Sequence, residues 1–212
     1  MTRDPDLPGR LLLAERAVLI PLLRATPAAD FALATNCPGW TVRDVLAHCA
    51  AALTHIARNT LHDLSPAAND RDIADRAGWS VEEIVDELAE GFLRAGPVIA
   101  AGDGGLDVIA LGEWVHGGDV REALGKPDAY ASAGVTEALR LLGLSPRVRA
   151  RPRVLVTLPH RRLDLGDPVP GRQPATLVTN TATLIRLYCG RPADPAEYEL
   201  RGATADELVI YR

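Results

Sequence analysis

Glu113 and His116 stand three residues apart in Leu111-Gly-Glu-Trp-Val-His-Gly-Gly-Asp-Val-Arg-Glu-Ala-Leu-Gly125. On a helix this spacing turns a carboxylate and an imidazole to one face, among small and apolar neighbours. Burying the pair unpartnered is costly. A divalent metal would satisfy both, one through oxygen and one through nitrogen. Two donors do not make a site, and the third expected is His48, in the apolar middle of an earlier segment. Two histidines and a carboxylate leave a coordination position open, as catalytic zinc sites do. A plainer reading of the same residues has the histidines bonded to backbone and Glu113 at the surface, or all three pairing at an oligomer interface. His55 and His62 follow His48 at seven-residue steps. Seven residues of helix span about 10 Å, so at most one of the three can join a given metal. Asp119, three residues past His116, could orient that ring as an acceptor, or pair with Arg43 or Arg121. Arg191 is the candidate for binding an anionic substrate group. Cys37, Cys49 and Cys189 are odd in number and widely spaced, and read as small buried thiols. Trp40 and Trp114 read as core before pocket lining.

Helices must position these residues. Hydrophobic residues make up 47% of the 212, yet aromatics only 4%, a bias toward close-packed helices of Ala and Leu. The spacings predict a helix from about Pro8 to Ala25, kinked or ended early at Pro21. A second runs from Val42 to about Leu64, opened by a capping box on Thr41 and Asp44. Residues 65–78 read as a long loop. A third helix starts at the Ser80–Glu83 capping box and should bend or break at Pro97. The fourth, from about Asp107, carries Glu113 and His116 and ends at Gly125, a residue suited to the left-handed cap position. A shorter fifth covers Ser132 to Leu142. From Pro146 the texture changes: Val154–Leu158, Leu163–Leu165 and Ala175–Thr179 have strand composition, and Thr181–Cys189 reads as a helix closed by Gly190. Glu197–Leu200 could be a strand, and Glu207–Tyr211 a strand or a final helix. The expected fold is mainly α: an antiparallel four-helix bundle over residues 1–145, then a small α+β domain over 146–212. A net charge of −5 with both signs interspersed excludes a basic nucleic-acid footprint. No apolar run of membrane length and no signal-peptide pattern occur, so a cytoplasmic protein is expected.

Trp40-Thr-Val-Arg-Asp-Val-Leu-Ala-His48 resembles the signature of the DinB-like metal-binding bundles, in particular the mycothiol-dependent maleylpyruvate isomerase family. The preceding Cys37-Pro-Gly39 and the later Val115-His-Gly-Gly-Asp-Val-Arg-Glu-Ala-Leu124 are similar to that family too. Ala175-Thr-Leu-Val-Thr179 and Leu187-Tyr-Cys-Gly-Arg191 resemble, more weakly, the C-terminal domain often fused to such bundles. Carried over by motif, the resemblance implies a metal on His48, Glu113 and His116. One departure stands out: the family's carboxylate usually lies four residues before the histidine, and here it lies three. The implied chemistry is that of a borrowed nucleophile. A metal, zinc first, holds the sulfur of a low-molecular-weight thiol such as mycothiol as thiolate, its reactive form. Adding to an activated double bond, allowing rotation and leaving gives isomerisation; displacing a leaving group gives thiol transfer. The implied partners are that thiol and a small electrophilic substrate, with no nucleic acid and no membrane. A homodimer stays open, and so does a non-catalytic metal or small-ligand binding module of the same fold.

Overall fold

Thr41 and Ser80 start their helices as their spacing predicts. In the computed structural model, which describes residues 3–61, 63 and 65–211, each hydroxyl accepts the backbone N–H three residues on, while Asp44 and Glu83 reach back to the cap. The chain divides into two compact units, Thr2–Ala129 and Tyr130–Arg212.

The first unit holds α1 (Leu7–Arg24), α2 (Val42–Ala57), α3 (Pro66–Asp75), α4 (Val81–Ala101) and α5 (Asp107–Ala123). Helices α4 and α5 each pack against both α1 and α2, which closes a ring of four helices around one core. Leu11, Leu12, Val45, Leu53, Leu88, Phe92, Leu111 and Trp114 fill it, all at 1% exposure or less. Neither proline ends its helix: α1 runs through Pro21 and α4 through Pro97. A proline removes one backbone bond, and α4 is held tightly at that point: a Cβ built on Gly96 would lie 3.0 Å from the Cα of Gly9 in α1. Helix α2 stops at Ala57, with Asn59 in the left-handed region at φ 55°. The stretch read as a loop instead carries α3, capped by Ser65. His62 lies outside the described residues. Helix α5 ends as expected, its Gly125 at φ 65°, where a side chain would be strained.

In the second unit, β1 (Val154–Leu158), β2 (Arg161–Leu165), β3 (Ala175–Thr179) and β4 (Tyr198–Arg201) form one sheet in the order β2-β1-β3-β4. The β1/β2 and β3/β4 pairs are antiparallel, and β1/β3 is parallel. In β1 and β3 buried and exposed residues alternate strictly, so one face is core and the other meets solvent. This unit also holds α6 (Val135–Leu144), α7 (Pro146–Arg149), α8 (Thr181–Cys189) and α9 (Ala205–Leu208). The division falls ahead of α6, whereas composition changes only at Pro146. The reason is packing: α6 lies on the sheet, and a Cβ on Gly143 would sit 3.8 Å from Cδ2 of Leu165. The Tyr188 hydroxyl is buried with no hydrogen-bond partner among the described residues. An unmet buried hydroxyl costs more than it returns. Tyr188→Phe is therefore expected to leave stability unchanged or raise it by about 1 kcal/mol, as read from urea unfolding.

Candidate metal centre

Two helices and one loop build the site. Helix α2 supplies His48, and α5 supplies Glu113, His116 and Asp119. The loop before α2 is pinned by its own backbone. Thr35 N–H donates to the Trp40 carbonyl at 3.1 Å and Trp40 N–H to the Cys37 carbonyl at 3.0 Å. This tight turn presents Cys37 and Trp40 to the helices.

His48 and His116 meet. Their ring centroids lie 5.3 Å apart, nearly edge to face, and the Trp40 ring stands 5.0 Å from His48 and 6.3 Å from His116. Nδ1 of His48 is buried and has no partner among the described residues. Burial, reinforced by the neighbouring His116, pushes the His48 pKa down to about 3. The ring is thus held neutral, the form that ligates a metal.

Nδ1 of His116 lies 3.2 Å from Oδ2 of Asp119 and 3.5 Å from Sγ of Cys37, and the Cys37 thiol donates to the same Oδ2 at 3.1 Å. Asp119 is fully buried. Its contact is with the His116 ring, while Arg121 pairs with Glu15 and Arg43 donates to the carbonyls of Arg76, Ala77 and Trp79. Among the described residues, Cys37, His116 and Asp119 form a group whose ligating atoms all lie within 4.8 Å of one another.

Glu113 is buried too, but it shares a hydrogen bond with Cys49 and feels the charge of Glu15. Burial pushes its carboxyl up to about 8. Its Oε2 has no partner among the described residues. Behind it, Glu15 of α1 is fully buried and takes a 2.5 Å bond from Nη1 of Arg121. Arg191 belongs to the second unit, where its Nη1 donates to the Cys189 carbonyl at 3.1 Å. His55 pairs with Asp72 of α3 at 3.2 Å. Trp114 is core, as read, whereas Trp40 lines the histidine pair.

Sequence reading missed Cys37 at this site, and it missed the Glu15–Arg121 pair. The Pro-Gly-Trp run after Cys37 was the available signal for a turn that aims a side chain. The second had one too, in Gly117. A Cβ there would fall 1.8 Å from Oε1 of Glu15, so α5 needs a glycine beside His116 to admit the carboxylate. Gly117→Ala is expected to push Glu15 off Arg121 and cost about 1–3 kcal/mol, measured as a fall in the urea midpoint.

Cys37, His116 and Asp119 are donors that could hold a divalent metal, and the half-buried His48 ring faces His116 with a buried Nδ1 that has no partner among the described residues. No curated protein sequence matches the chain. Residues 12–94 match the family model described as mycothiol maleylpyruvate isomerase N-terminal domain. Two solved structures resemble the whole chain: the mycothiol-dependent maleylpyruvate isomerase, at 17% identity, and a histidine-to-alanine mutant of it, at 16%. Each alignment covers 96% of this chain and 98% of the other, with a TM-score of 0.56. No helix among the described residues is long and apolar enough to cross a membrane. Residues 12–94 are thus similar to the mycothiol maleylpyruvate isomerase N-terminal domain, and the chain shares the fold of the solved maleylpyruvate isomerase.

Proposed function

We propose that this protein is a metal-dependent enzyme that uses a low-molecular-weight thiol, such as mycothiol, to isomerise or S-substitute a small electrophile. One observation carries the reading: the rings of His48 and His116, from two different helices, stand 5.3 Å apart with a buried, unpartnered nitrogen on the first. His48 and His116 would hold the metal, zinc foremost, with a carboxylate of α5 beside them; Glu113 is the one the motif expects. When bound, such a metal supplies a Lewis-acidic position that keeps a thiol sulfur as thiolate. The chain's own groups do the rest. Asp119 is the α5 carboxylate that touches the His116 ring. Trp40 stands beside both rings. Arg191 is the proposed cation for an acidic substrate, a role resting on its charge alone.

The test loads purified protein with zinc and follows thiol-dependent turnover across a panel of small electrophiles, with bound metal measured in parallel. Stoichiometric metal with turnover supports the proposal. Tight metal without turnover for any electrophile makes the protein a binding module. No bound metal rejects both.

A further inference from the structure

Asp119 bonds directly to the His116 ring, while Glu113 bonds to Cys49, the residue after His48. The Glu113 carboxyl bonds to Cys49 through one oxygen, while Asp119 and Cys37 both touch Nδ1 of His116. The three atoms Cys37 Sγ, His116 Nδ1 and Asp119 Oδ2 form a triangle with sides of 3.1, 3.2 and 3.5 Å. In a tetrahedral zinc site, bond lengths of about 2.3 Å to sulfur and about 2.0–2.2 Å to nitrogen and oxygen place neighbouring donors roughly 3.4–3.6 Å apart. The triangle is therefore a face of such a tetrahedron to within about half an ångström. The local fold holds it ready. The turn at Thr35–Trp40 sets Cys37, and the three-residue step from His116 to Asp119 puts both on one side of α5.

We infer that Cys37, His116 and Asp119 are resident ligands of the metal, with the His48 ring of α2 facing His116 beside them, and that Glu113 is not a ligand. The inference rests on the proposed metal-thiol reading and sharpens it. A resident thiolate then occupies the position that the thiol cosubstrate needs. An incoming thiol RSH would replace Cys37 as sulfur donor, and Cys37 would take up the proton that RSH gives up. Ligand exchange of this kind changes no oxidation state. It also accounts for the departure in spacing, because a chain that recruits Asp119, after the histidine, has no need of a carboxylate four residues before it.

Cobalt(II) in place of zinc tests this without any assay of activity, because a thiolate ligand gives near-ultraviolet sulfur-to-cobalt charge-transfer absorption. The cobalt-loaded wild-type chain, with no thiol added, is expected to show that absorption. In Cys37→Ser the band should vanish with cobalt still bound, and an excess of added thiol should restore it. Asp119→Asn should weaken cobalt binding by more than about 100-fold, beyond the roughly 10–100-fold typical of groups that only orient a ligand. Glu113→Gln should leave affinity within a few-fold of wild type. Circular dichroism and cooperative melting check that each variant folds, and the wild-type band needs no variant at all. Cobalt bound by the wild type without the band overturns the inference. So does loss of metal in Glu113→Gln while Asp119→Asn stays within the orienting range. Failure to bind cobalt at all overturns the proposed function itself, which keeps the two outcomes apart.

Discussion

Arg121→Met is expected to destabilise the protein by about 3–5 kcal/mol at about pH 8.5, and by clearly less at about pH 5. Arg121 is 6% exposed and Glu15 fully buried, and their bond ties α5 to α1. Removing one partner of a buried pair leaves the other charge uncompensated. The pH dependence follows from Glu15. Burial pushes its carboxyl from 4.5 up to about 7, against the pull of Arg121 in the other direction. A folded-state pKa above the unfolded one means that the folded chain binds the proton more tightly. That contribution is complete below the unfolded value and is lost as pH rises through about 7. Without the guanidinium the carboxyl rises further, so the variant can take up a proton at low pH and escape the unpaired charge. Urea unfolding at the two pH values checks this; an equal loss at both would show that Glu15 is not the group left behind.

His48→Ala is expected to reduce metal affinity by more than about 100-fold, and thiol-dependent turnover with it. The same change should improve tolerance of acid. Burial and His116 hold the folded-state pKa of His48 at about 3, against 6.5 for a free ring. The unfolded chain therefore takes up a proton that the folded chain refuses. Stability is full above the unfolded value and is lost as pH falls from there toward about 3. The variant lacks that loss, so the gap between metal-free wild type and variant should widen as pH falls from about 6.5 toward about 3, with the variant falling less. Metal analysis and acid unfolding curves read the two effects separately. Unchanged metal content would remove His48 from the site.

Much of the positioning scaffold is legible in local chemistry. The Thr41 and Ser80 caps, the glycine after α5, and the β1 and β3 alternations depend on neighbours within a few residues, where hydroxyl, carboxylate and backbone geometry decide the outcome. The two prolines, which could have ended their helices, are decided at longer range. Whether a helix survives the loss of one backbone bond depends on what packs against it, and Gly9 against Gly96 is a contact 87 residues apart in sequence.

The sequence by itself determined which residues could be ligands, since donor types and their spacing on one helix face are properties of the chain: His48, Glu113, His116 and Asp119 are all visible in it. The convergence of α2 and α5 was a matter for the tertiary structure. So was the partition of the two α5 carboxylates, Asp119 to the His116 ring and Glu113 to Cys49. Spacing along a helix says which side chains share a face, but the charges and hydrogen-bond partners that each one meets come from other helices, brought there by burial of the core.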